Sequence, residues 1–198
     1  MAVEISDLRV ATAQVKRSFA ELLAAYPQAS VVAVDIPIGL PEIGRRPGDE
    51  DARKFVGARR SSVFFTPTRQ LLETPWAAGL GISRQAHSLG PRIFEVENAL
   101  TERIHEVHPE VSFAAMKGRP LDTTKLSWNG LMERRALLAA QGILPPDELG
   151  DAGSAPADDL LDAAAAAWSA HRIATRQAMT LPAAPSLDAL GRPIAIWY

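Results

Sequence analysis

The stretch Val31-Val32-Ala33-Val34-Asp35-Ile36-Pro37-Ile38-Gly39-Leu40-Pro41 limits the fold more than any other part of the chain. Residues 31–34 are small or β-branched and apolar, and prolines and a glycine follow the aspartate at once. Such a run reads as a buried strand that stops abruptly, with the Asp35 carboxylate at its C-terminal end. In open α/β sheets, ligands and chemistry gather outside the carboxyl ends of the strands. The plainer use of an aspartate there is to cap a turn. Upstream, residues 10–15 alternate in part, as a strand does. Ser18 with Glu21 three residues later forms a capping box for a helix over residues 19–25. The order strand, helix, strand predicts a crossover unit and a sheet with parallel pairs.

A chain of 198 residues is long enough for one domain with a real core, and no linker divides it, so residues 1–198 read as a single α/β domain. Hydrophobic residues at 47% and charged residues at 22% exclude a disordered chain. The net charge of -2 supplies no bulk basic field, so any contact with nucleic acid must come from a local patch. Without cysteine there is no disulfide and no thiolate metal site, which is compatible with a reducing compartment. No stretch approaches the ~18–20 apolar residues of a membrane span. The first ten residues carry Glu4 and lack a basic-then-apolar signal pattern, so a cytoplasmic protein with no membrane partner is expected.

Further along, Asp49-Glu50-Asp51 and Gly57 bracket one short helix. Arg59, Arg60, Ser61 and Ser62 lie in a loop whose guanidinium forks and hydroxyls suit phosphate or carboxylate oxygens. The plainer alternative is a solvated basic turn paired with the acids at 49–51. Ala86, Leu89, Ile93, Val96 and Leu100 give an amphipathic helix over residues 83–100, which Pro91 should kink or split. Residues 104–108 form a short strand, and Pro109 opens a helix closed by Gly118. A helix follows over residues 128–141, then a long one from 160 to about 176 with an alanine-rich surface. Residues 188–193 read as a turn and residues 194–198 as a terminal strand.

Asp159 and Asp162 are three apart and project from one face at the start of that long helix. Acids near a helix N-terminus are favourable anyway, which accounts for Asp158 but not for Asp162 on the apolar side. Carboxylates brought together bind Mg²⁺ or Mn²⁺, and a pair of such ions drives phosphodiester hydrolysis. His105 and His108 sit on one predicted strand and point to opposite faces, so a zinc site is not expected. A Gly-rich phosphate loop and a nucleophile elbow are both missing.

Four segments in order resemble a known family: Val34-Asp35-Ile36-Pro37-Ile38-Gly39-Leu40, Arg59-Arg60-Ser61-Ser62-Val63-Phe64, Glu106-Val107-His108-Pro109-Glu110-Val111-Ser112-Phe113 and Asp158-Asp159-Leu160-Leu161-Asp162-Ala163. From about residue 17 to the C-terminus the chain resembles the domain-of-unknown-function family 429, predicted nucleases of the ribonuclease H-like superfamily. The resemblance implies a ribonuclease H-like mixed sheet with flanking helices and a Mg- or Mn-dependent nuclease acting on nucleic acid. By analogy Asp35 is the acid at the end of the fourth strand, and Asp159 and Asp162 are the acids of the late helix. Glu110, with Glu106, adds polar groups to the site. Arg59, Arg60, Ser61, Ser62 and His108 would then hold phosphate or substrate.

Family members usually begin with a strand carrying a metal-binding aspartate in a Val-Asp-Gly context, followed by a hairpin partner. Here Asp7 is the sole aspartate before Arg17 and has no such context, and residues 10–15 look like the family's third strand. The N-terminal strands therefore read as incomplete, and cleavage is expected to be weak or absent. The alternatives are a non-catalytic nucleotide- or phosphate-binding module and an enzyme acting on a small anionic substrate. The bare edge of the strand at 31–34 also needs cover. Either residues 3–15 cross over to pair with it, or a second chain covers it in a homodimer.

Overall fold

The computed structural model describes residues 1–188 and 191–198. Strands β1 (Ala2–Ser6) and β2 (Arg9–Gln14) form an antiparallel hairpin. Asp7 and Leu8 turn it in the left-handed region, at φ 48° and 61°, the geometry of the tightest hairpin loops. Helix α1 (Phe19–Ala25) is capped by Ser18, whose hydroxyl accepts from the Glu21 N–H. Strand β3 (Val32–Val34) then runs into Asp35. An irregular arm follows, leading to α2 (Pro47–Phe55), a 3-10 segment (Gly57–Ser62) and α3 (Arg69–Glu73). The amphipathic stretch is split as Pro91 predicts, into α4 (Arg84–Ser88) and α5 (Gly90–Asn98). Strand β4 (Ile104–Glu106) leads into α6 (Pro109–Lys117), which Gly118 ends at φ 72°. After α7 (Trp128–Ala140) comes the longest helix, α8 (Ala157–Ala174), and the chain finishes with β5 (Thr180–Leu187) and β6 (Pro193–Trp197).

The fold is α/β, with helices around three small two-stranded sheets among the described residues. β3 and β4 pair in parallel with Val34 opposite Glu106, and one bridge from Val107 to Trp197 joins this pair to the β5–β6 hairpin. Apolar clusters fill the space on either side. Phe113, Leu138, Leu161 and Trp168 join α6, α7 and α8, and Val3, Ile5, Leu8 and Val10 of the first hairpin rest on them. Val56, Val111 and Ile196 join α2 and α6 to β6. Val34, Val96 and Ile104 lie beneath the parallel pair, with Phe19 and Leu23 of α1 against them.

Two expectations are corrected here. β2 pairs with β1 and not with β3, so the parallel pair is β3–β4 rather than the opening unit. Nor do residues 3–15 cross over to the edge of β3. Their apolar side chains find burial against the α8 cluster instead, and the tight turn satisfies each strand with the other. The Val32 N–H donates to the Arg103 carbonyl at 2.8 Å and the Val107 N–H to the Val34 carbonyl at 2.9 Å. Those bonds point the backbone groups of Val32 and Val34 toward β4, so those of Ala33 face away from it. No strand pairs with that edge among the described residues. The turn predicted for 188–193 falls partly outside the described residues. Asp188 nevertheless accepts from the Arg192 N–H at 2.8 Å.

Arg134 on α7 is wholly buried and donates through Nη2 to both Glu110 carboxylate oxygens, at 3.0 and 2.8 Å. Removing one partner of a buried ion pair leaves the other charge uncompensated. Arg134→Met should therefore lower stability by about 3–5 kcal/mol in urea unfolding. The double variant Glu110→Gln/Arg134→Met should lose clearly less than the sum of its two single changes.

Candidate active site

The site begins at the C-terminal end of β3. A groove of about 680 Å³ runs along the open edge of this strand. Residues 31–36 form one wall, Asp159, Asp162 and the alanines of α8 another, and residues 1–6 a third. The small side chains at Ala163, Ala166 and Ala167 keep α8 slim enough to lie against β3 while leaving the channel open. Lys16, Arg17, Arg92 and Lys125 also line it.

Asp35 opens into this groove, and its carboxylate makes no hydrogen bond or ion pair among the described residues. Crowding by protein around the groove floor pushes its pKa up, against the opposing pull of His108 and Lys125. Asp162 faces the same charges. Burial pushes it up to about 6, the Asp35 charge adds to the rise, and Lys125 and His108 oppose it. Lys125 stands in the loop between α6 and α7. Its Nζ lies 2.7 Å from Asp162 Oδ2 and 3.1 Å from Asp158 Oδ2. Burial alone would lower the pKa of this lysine, but the two carboxylates outweigh it and raise it. Asp35, Asp162, His108 and Lys125 thus share one electrostatic neighbourhood.

Asp159 lines the same groove but is exposed, and its carboxylate makes no hydrogen bond or ion pair among the described residues. Asp158, four residues before Asp162 and so on its face, is the acid that shares Lys125 with it. That spacing was a sequence signal for a shared cation. Nothing in the sequence said that Lys125 supplies it.

His108 caps α6: its Nδ1 accepts from the Glu110 N–H at 3.2 Å. The ring proton is therefore on Nε2, which donates to the Ser62 carbonyl at 3.3 Å. Through that bond the Arg59–Ser62 loop abuts the site without lining the groove. Arg59 contacts Glu110 at 3.3 Å, and the Ser62 hydroxyl donates to the Arg59 carbonyl at 2.7 Å. The side chains of Arg60 and Ser61 are exposed and make no hydrogen bond or ion pair among the described residues. The loop's arginines do not pair with the acids at 49–51. Asp51 pairs with Lys54, and Asp49 lies in the interior with Arg46. Glu110 is held by Arg134 and Arg59, away from the groove lining. The His105 ring meets that of Trp197 edge-to-face, with centroids 5.2 Å apart, and burial lowers its pKa.

Glu106 is buried and braces the arm that follows Asp35. Its Oε2 accepts from the Ile38 N–H at 2.7 Å and from Arg46 Nη1 at 2.8 Å. Arg46 Nη1 also donates to the Ile38 carbonyl at 2.9 Å. Both backbone groups of Ile38 are therefore fixed, three residues beyond Asp35. Burial raises the Glu106 pKa, and Arg46 works against that rise.

The hard carboxylate oxygens of Asp35 and Asp162 are the donors that Mg²⁺ and Mn²⁺ take. No group of three acids or histidines able to hold a metal occurs among the described residues. The set fits an ion completed by water and substrate oxygens, with Asp35 and Asp162 as its protein ligands, and not a closed protein cage.

A family model described as "Protein of unknown function (DUF429)" matches residues 1–186. The chain belongs to the DUF429 family. The match takes in the first hairpin, which the motifs alone left outside, and stops before β6. Asp35, Asp159 and Asp162 all fall within the DUF429 match. No curated protein and no solved structure matches the chain.

The raised pKa of Asp162 has a sign. Between about pH 4 and 6 the folded state keeps a proton that the unfolded chain has released, so this group makes stability fall as pH rises through that window. Asp162→Asn removes the titration. Relative to the parent, the variant should gain up to about 2–3 kcal/mol between pH 4 and pH 7, read by urea unfolding at each pH. A difference that stays flat with pH would show that Asp162 titrates normally.

Proposed function

We propose that this chain is a ribonuclease H-like, metal-dependent nuclease that takes a nucleic-acid strand along the groove beside β3. The observation that carries this reading is that Asp35, at the C-terminal end of a parallel strand, and Asp162 from α8 line one groove. Burial raises the pKa of both carboxylates, and a cation beside them would offset that cost. Asp35 and Asp162 would hold a Mg²⁺ or Mn²⁺ ion, which would supply an activated water and neutralise charge on the phosphate.

The remaining work falls to the chain itself. Lys16, Arg17 and Arg92 on the groove walls suit the phosphates of a bound strand. The exposed guanidinium of Arg60 and hydroxyl of Ser61 suit a phosphate further along. His108 Nε2 holds its proton on the Ser62 carbonyl and so keeps that loop against the site. Ile38, pinned by Arg46 and Glu106, keeps the backbone after Asp35 from swinging. With two protein ligands for the ion, turnover should be slow. A second reading, a nucleotide- or phosphate-binding module that does not cut, is favoured by the Lys125 ion pair, which already engages Asp162.

The test is a panel of labelled RNA, single- and double-stranded DNA and hybrid oligonucleotides, with Mg²⁺ or Mn²⁺. Slow metal-dependent cleavage is expected. Asp35→Asn and Asp162→Asn should each cut it by about two orders of magnitude, the scale on which loss of one charge-stabilising group is felt. Strand or nucleotide binding without cleavage would favour the second reading. Cleavage that survives Asp35→Asn would place the chemistry elsewhere.

A further inference from the structure

We infer that Lys125 is the resident cation of the Asp35–Asp162 site, and that a divalent ion enters only when Lys125 releases Asp162. The inference rests on the reading that these acids are the metal ligands. The Lys125 ammonium has three N–H donors and spends two of them on Asp158 and Asp162. One Asp162 oxygen is thus already occupied by a positive charge on the side of α8 that borders the groove.

The loop that carries Lys125 is braced from both sides. The Thr123 hydroxyl donates to Glu133, and Arg134 reaches the Thr123 carbonyl at 3.4 Å. The Thr124 carbonyl accepts from the Ser127 N–H at 3.1 Å and the Ser127 hydroxyl at 2.8 Å. A Cβ on Gly130 would fall 1.8 Å from that same carbonyl, so the close seat of this loop on α7 requires glycine there. A flexible four-carbon stem on a fixed backbone can let go of a carboxylate without moving the loop. Lys125 is therefore positioned to neutralise Asp162 and to yield it.

A ligand that must displace a closed state binds more weakly by the fraction of time the site is open. Mn²⁺ binding by the full chain, with no nucleic acid present, reads this directly. Lys125→Met and Lys125→Gln should each bind Mn²⁺ about tenfold more tightly than the parent, as expected for a latch closed about nine-tenths of the time. Lys125→Arg, which keeps the charge, should show no gain, and Asp162→Asn placed on Lys125→Met should erase it. In melting experiments Mn²⁺ should raise the Tm of Lys125→Met more than that of the parent.

Unchanged or weaker Mn²⁺ binding in both neutral variants would overturn the inference, as would a gain that survives Asp162→Asn. Neither readout involves cleavage, so the two ideas fail separately. Oligonucleotides left uncut by a chain whose Lys125→Met variant gains Mn²⁺ affinity would refute the nuclease reading and leave Lys125 as assigned. Asp35-dependent cleavage with no gain in Mn²⁺ affinity would do the reverse.

Discussion

Arg46 is the knot on which the site hangs. Its guanidinium lies in the interior between Asp49 and Glu106, with Nη2 2.5 Å from one and 2.7 Å from the other. Burial alone would lower the pKa of Arg46, but the two acids outweigh it and keep the charge fixed. Asp49 in turn accepts from the Thr66 N–H at 2.7 Å, and Glu106 from the Ile38 N–H. One side chain thus joins α2, β4, the segment before α3 and the arm after β3. Burying three charges is costly, and an apolar trio of the same shape would cost less. What the ionic version provides is direction. It binds a stretch of chain with two prolines and a glycine, which has no ladder of its own, at one orientation relative to β4.

Around that anchor the charges sort into two kinds. Glu110 with Arg134 and Glu106 with Arg46 are acids matched to guanidinium forks inside the protein. Asp35 and Asp162 stand beside the groove, with Lys125 between Asp158 and Asp162 and no bond to the Asp35 carboxylate among the described residues. The first kind is satisfied and holds the molecule together. The second is held less tightly and faces an open groove, which is the ordinary condition of groups that await a ligand.

Much of this was legible from local chemistry. Ser18, Pro91, Pro109 and Gly118 act at single positions through fixed backbone rules, and α1, the α4–α5 break and α6 follow them. Asp35 was legible because a strand that stops in prolines advertises its end. The first hairpin was hidden because its turn residues are Asp7 and Leu8, and leucine rarely adopts a left-handed φ. β5 was hidden by Pro182 and Pro185, which argue against a strand until one sees its register break between Leu181 and Ser186. Lys125, Arg46 and Arg134 were hidden for another reason. Each acts on an acid far away along the chain, Arg46 on Glu106 besides its near neighbour Asp49, and no periodicity encodes such a meeting.

That distance bears on how the protein is made. β3 gains its partner β4 only when β4 has been synthesised, and Asp35 comes to share a groove with Asp162 only once α8 exists. Contacts between such remote segments are the slow ones in folding, because loop closure precedes any reward. The first half of a nascent chain therefore carries the apolar strand Val32–Val34 with both edges bare, and with α1 and α5 but not α8 to lie against. The nine-residue and shorter helices between them are too brief to persist alone in water. Assembly of the groove is thus a late event of synthesis, and until then the chain's exposure to chaperones and proteases is greatest at the strand that will bear its acid.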